Sequence, residues 1–143
     1  MLQISNLTRL LCGVILITVP TIEFGGVFLL KMLRTREAGY MDNPIRQSLF
    51  RAGHAHAGVI VILSLICQVL VDSIILPDAL AWVVRIGVPV AAILIPAGFF
   101  LSLAPPCSER PNGAILLVYL GAVVLAVAVL ILGVGLVRAG LYR

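Results

Sequence analysis

Charge is what this sequence has least of. Ten Lys and Arg with six Asp and Glu make up 11% of 143 residues, where a domain facing water carries roughly 25%. Hydrophobic residues account for 62% and the mean hydropathy is +1.18. A lipid bilayer is the solvent that accepts such a surface, and at this length nothing is left over for a soluble catalytic module. The formal net charge of +4 does not point to nucleic acid. The basic residues sit mostly between apolar runs, where membrane proteins keep them as orientation signals.

Chemical motifs are equally sparse. The chain has no Gly-rich phosphate loop, no nucleophile elbow, no HExxH and no CxxC. Two histidines cannot supply the three or four ligands of a closed zinc site. The reading therefore leans away from an enzyme. Of the three cysteines, Cys12 and Cys67 fall inside apolar runs and read as small hydrophobes, while Cys107 falls in a loop where it can react. An odd count gives no disulfide framework. No A-x-A site follows the first apolar run, and the residue before Cys12 is too large for a lipoprotein site, so the run reads as an uncleaved span.

What is present is length. Four apolar runs, at about 8–30, 52–71, 80–103 and 113–137, are each long enough to cross roughly 30 Å of hydrocarbon at about 1.5 Å per residue. None shows the alternation or turn residues of strands. The expected fold is all-α, a single transmembrane domain forming an integral membrane four-helix bundle, with antiparallel neighbours wherever the connections are short. In the fourth run Gly121, Ala128 and Gly135 recur every seven residues, a small-residue stripe for close packing inside the bundle or between copies. Six basic residues (Lys31, Arg34, Arg36, Arg46, Arg51, Arg110) lie on one side and four (Arg9, Arg85, Arg138, Arg143) on the other. That asymmetry puts segment 31–51 in the cytoplasm of a multi-pass protein of the bacterial inner membrane.

Ionisable groups within the runs cost some kilocalories per mole and so mark candidate function. His54 and His56 lie early in the second run, in RAGHAHAG, flanked by Gly and Ala that leave space for a ring, a cofactor or another helix. Two residues apart on a helix is a rotation of about 200°, so the rings point to opposite sides and cannot easily share one ion. Glu23 should sit at the depth of His54 if the first two runs are antiparallel, within reach of an imidazole whose proton it could share. Thr18, Thr21 and Pro20 are close by, with Gln68 expected near the His54 face and Cys67 near the His56 face. Three simpler readings stand beside these. The histidines can lie in the interfacial layer, Glu23 can pair with Arg51 or a histidine as structural glue, and Arg85 can snorkel to the interface. Trp82 and Tyr40 read as interface aromatics.

The RAGHAHAG segment followed by an apolar helix resembles the H-x-H helices of haem-copper oxidase relatives and NnrS-like membrane proteins, and also small bacterial four-span proteins. The first resemblance implies that His54 or His56 is an axial ligand of haem b or binds a transition metal. Those larger proteins draw histidines from several helices, whereas here both stand on one, so a bis-histidine site needs two copies or two haems. Three functions follow as expectations: a membrane protein with a haem- or metal-binding His/Glu site between the first two spans, a proton-coupled transporter or channel element, and an accessory or assembly subunit. Its partners would be the lipid bilayer and either further copies or a larger membrane complex, with no nucleic acid.

Overall fold

In the computed structural model, residues 4–105 and 108–141 are described, and they form four long helices with two short turns between them. Helix α1 spans Asn6–Arg34, the one-turn α2 Ala38–Met41, α3 Pro44–Val71, α4 Asp78–Ser102 and α5 Leu116–Leu141, the last preceded by a 3-10 turn at Gly113–Ile115. All four long helices are apolar enough to cross a membrane. They pack as an antiparallel bundle, in agreement with the sequence. Cys107 lies outside the described residues.

The helices begin and end with local chemistry. Ser5 caps α1 by accepting from Thr8 N–H at 3.1 Å, which satisfies a first-turn donor that would otherwise be orphaned. Asn43 does the same for Arg46 N–H at 2.9 Å, and Pro44 follows at the first helical position, where its missing N–H costs nothing. That cap starts α3 eight residues before the apolar run at 52, so most of the polar segment 31–51 is helical. Apolar content marks where lipid begins; caps mark where the helix begins. Arg36, at φ 49°, turns the chain between α1 and α2.

Helices α3 and α4 form the centre of the bundle. Helix α5 packs on α4, and α1 lies against α3 on the opposite flank. The main core joins Ile60, Cys67 and Val71 of α3 to Val84, Val88 and Ile95 of α4 and to Ala128 and Leu132 of α5. The α5 stripe packs within the bundle. A methyl group added at Gly121 would meet Ile95 at 2.7 Å, one at Gly135 would meet Ile74 at 2.7 Å, and Ala128 is fully buried. A second cluster, at the end opposite the termini, gathers Leu29, Met32, Tyr40, Phe50 and Leu103. There Arg46 donates to the carbonyls of Gly39 and Ala104, both at 3.1 Å, and stacks 4.9 Å over the Phe50 ring. It thereby ties α2 to the segment after α4.

Two expectations about single residues are corrected. Tyr40 is 0% exposed and is not an interface aromatic: α2 folds it under the bundle against Phe50, with ring centroids 6.2 Å apart. Arg85 does not snorkel. It is 7% exposed because a carboxylate waits for it inside the protein. Trp82 is exposed, as expected.

Candidate functional site

Apart from the Arg46 cluster described above, two sets of polar side chains on the long helices bear on function. The first lies at the end that holds both termini. Arg85 of α4 forms an ion pair with Asp72, the residue that caps the C-terminus of α3, at 2.6 Å. It also donates to Thr8 Oγ1 at 2.7 Å and to Gln68 Oε1 at 3.1 Å. Ser5 donates to the same carboxylate through its N–H at 2.8 Å and its hydroxyl at 3.1 Å, and Thr8 donates to the Gln68 carbonyl at 3.3 Å. Proline explains the Gln68 amide: Pro89 has no N–H for the carbonyl four residues earlier, that of Arg85, and Gln68 Nε2 donates to it instead at 2.7 Å. Burial pushes the Asp72 carboxyl up, but the donors on Ser5 and Arg85 outweigh it and hold the group below the usual carboxylate range. This is a closed network joining α1, α3 and α4. Gln68, expected near His54, belongs to it instead.

The second group lies within the apolar runs and is open. Helix α3 begins at Pro44, but its apolar run begins only at 52, so His54 and His56 lie about 3 Å and 6 Å along the axis inside that run. Glu23 lies about 4.5 Å from the midpoint of α1, itself 29 residues long. Measured from the start of the apolar run, the histidines lie near its polar end, which leaves the interfacial reading standing. The rings leave α3 on different flanks, as their spacing requires. His54 is half-buried against α1, where a methyl group added at Gly26 would lie 3.2 Å from its Nε2. Gly25 and Gly26 are what let α1 approach the ring so closely, and they confirm that Glu23, two residues earlier, is near the same depth.

His56 is exposed on the α4 flank, its ring centroid 5.3 Å from that of Phe99. Its Nδ1 stands 2.7 Å from the carbonyl oxygen of Ala52. A carbonyl only accepts, so Nδ1 carries the hydrogen and donates. In the neutral ring the Nε2 lone pair is then left free. The site between the first two spans therefore holds His54 alone of the two histidines.

Glu23 is exposed on α1. The single ion pair among the described residues is Arg85–Asp72, so Glu23 is paired with neither histidine nor Arg51. Nor do the described residues contain a group of three His, Cys, Asp or Glu able to hold a metal ion. Beside these residues Thr18, Thr21, Ser64 and Pro89 line a cleft of about 190 Å³ between α1, α3 and α4. Its hydroxyls are spent on their own helices: Thr18 donates to Ile15 at 2.6 Å, Thr21 to Thr18 at 2.6 Å and Ser64 to Ile60 at 2.8 Å.

The sequence contained a signal for the closed network that apolar runs alone do not reveal. Gln68 and Asp72 are four apart on α3, Arg85 and Pro89 four apart on α4, and the short 72–77 connection brings the two pairs face to face. No family model matches the chain, and neither the curated proteins nor the solved structures give a match to it.

Proposed function

We propose that the protein is a small multi-pass subunit of the bacterial inner membrane that binds haem on the lipid-facing side of α3 and α4, with His56 Nε2 as an axial ligand. The hydrogen bond from His56 Nδ1 to Ala52 carries this reading. Metal-binding histidines characteristically donate their second ring nitrogen to a carbonyl or carboxylate, which fixes the tautomer and aims the lone pair. A bare ion asks the protein for three or four ligands; a haem brings four nitrogens of its own and asks for one or two. A lone oriented imidazole therefore suits haem better than a bare transition-metal ion. Ala52 and Ala55, a turn before and one residue before His56, add little bulk beside the ring, and Phe99 lies against it. The six-to-four excess of Lys and Arg supports a cytoplasmic location for the 35–43 and 103–112 connections.

The test is an absorption spectrum of protein purified after expression with haem supplied. The parent should show a Soret band, His56→Gln should lose it, and His54→Gln should keep it, with all three proteins inserted at similar levels. Loss in the His54 variant alone would move the ligand to the α1 seam. A parent without a Soret band would overturn the reading. Glu23 supports a second reading, a proton-carrying element, because a carboxylate exposed near the middle of a span is costly unless it is used. Proton flux in proteoliposomes, lost in Glu23→Gln, is its test.

A further inference from the structure

At the end of the bundle that carries the termini, α5 presents a ridge to the outside. Leu130, Val134 and Arg138 recur every four residues and so stand one above another, with the guanidinium at the top. An apolar trough runs along each side of this ridge. One, of about 700 Å³, lies between α5 and the 73–77 connection with the start of α4; the other, of about 510 Å³, lies on the far side over Val129 and Gly133. The three ridge residues line both troughs, and Arg138 is the single charged side chain in either. It has no acidic partner among the described residues, where the one ion pair is Arg85–Asp72.

The connection that walls the larger trough is unusual for a loop. Ser73-Ile74-Ile75-Leu76-Pro77 is almost wholly apolar, and Ile75 is 100% exposed. Water would penalise that exposure, so the loop belongs at the boundary between acyl chains and headgroups. That boundary fixes the level of the troughs at the top of the hydrocarbon. It puts Arg138, at the C-terminal end of α5, among the phosphates.

We propose that this ridge is a binding site for an anionic two-chain phospholipid, which straddles α5 with one acyl chain in each trough and its phosphate on the Arg138 guanidinium. The planar fork of Arg suits a phosphate bidentately. A single cation with no competing acid favours an anionic headgroup over a zwitterionic one, whose own ammonium the site has nothing to pair with. The troughs give what an isolated surface arginine lacks, two apolar channels that meet at the charge.

The test uses the whole protein in mild detergent, titrated with phosphatidylglycerol or phosphatidylcholine of identical chains, retained lipid being counted by native mass spectrometry. The parent should retain one phosphatidylglycerol in preference to phosphatidylcholine. Arg138→Gln should weaken that retention about fivefold, the scale of one basic residue at a membrane surface, while Arg9→Gln, a basic residue of the same end in neither trough, should leave it unchanged. Leu130→Trp, which adds a bulky ring to the ridge that both troughs share and keeps the charge, should weaken retention of both lipids. Equal retention by Arg138→Gln and the parent would overturn headgroup recognition. Undiminished retention by Leu130→Trp would overturn the straddled ridge, as would full displacement by inorganic phosphate at matched concentration. Circular dichroism of each variant shows whether the helices persist, and both substitutions sit on exposed positions of α5.

Discussion

At the end of the bundle that holds the termini, the side chains of Ser5, Thr8, Gln68, Asp72 and Arg85 satisfy one another across three helices. Within the apolar runs, Glu23 and His56 face outward, and neither takes part in an ion pair. Both regions carry polar groups that a membrane penalises, yet only one closes on itself. A closed network returns its cost as fixed helix positions: it holds the start of α1, of which little else is buried, against α3 and α4. An open group returns less to the fold: His56 bonds its own helix and lies against Phe99, and Glu23 has no ion-pair partner among the described residues. It has to be useful for something outside the chain, or it would be better replaced by leucine. This is why function is sought at Glu23 and His56, and stability at Arg85.

The largest expected effect comes from breaking the closed region. Arg85→Leu leaves the Asp72 carboxylate partly buried without its cation and orphans acceptors on Thr8 and Gln68. Removing one partner of a buried pair costs about 3–5 kcal/mol, and unfolding in denaturing detergent should show a loss of that order. Arg85→Lys should recover only part of it, since one ammonium cannot reach the three acceptors that the guanidinium fork meets. Unchanged stability in Arg85→Leu would mean that α1 is held by packing alone and that the network is incidental.

The open region should respond in the opposite direction. Glu23→Leu removes a carboxylate exposed near the middle of the span, where an acidic residue costs about 2.5–3.5 kcal/mol on insertion. Insertion and thermal stability should therefore rise or hold in Glu23→Leu while any proton flux disappears. A destabilisation approaching that of Arg85→Leu would erase the contrast between the regions, because it would show that Glu23 has a structural partner in the membrane.

The comparison also explains what could be read from the sequence. Run length gave the four helices and their order, since lipid leaves few alternatives for twenty apolar residues. Helix ends are not marked by the apolar runs, because capping residues such as Asn43 and Pro44 lie in polar sequence outside them. The depth of Glu23 and the divergence of His54 and His56 follow from helical geometry alone and were legible. Which way Glu23 turned was not, because that depends on where α1 docks on α3. Arg85 was misread for a related reason. A basic residue near a span end snorkels by default, and only the pairing of α3 with α4 puts Asp72 within its reach. Tyr40 depended on α2 folding back under the bundle, a tertiary event with no local signature.

Acid offers a graded version of the first experiment. The Asp72 carboxyl is held below the usual carboxylate range in the folded protein, so the ion pair contributes fully at pH values above the ordinary carboxylate pKa of 3.8. As pH falls through the folded value, the carboxyl takes up a proton and the contribution is lost. Stability of the parent should thus decline on acidification below about pH 4 more steeply than that of Asp72→Asn, which has no carboxylate to protonate there. Parallel acid profiles for the two proteins would show that other carboxylates govern the decline.

The smallest effect tests whether the cluster at the other end of the bundle is closed in the same sense. Tyr40 is fully buried, but its hydroxyl has no hydrogen-bond partner, and the Nε of the neighbouring Arg46 has none either. Phe50 packs beside the Tyr40 ring and Arg46 stacks over Phe50, so the value of Tyr40 to the fold is apolar area and aromatic contact. A buried hydroxyl without a partner carries a desolvation penalty of about 1–3 kcal/mol. Tyr40→Phe keeps the ring and removes the penalty, so the variant should be as stable as the parent or more stable by about 1 kcal/mol. Tyr40→Ala, by contrast, should cost about 3–5 kcal/mol through lost packing. If Tyr40→Phe is clearly destabilised, the hydroxyl is hydrogen-bonded in the membrane, and this end of the bundle is as polar and as closed as the end built around Arg85.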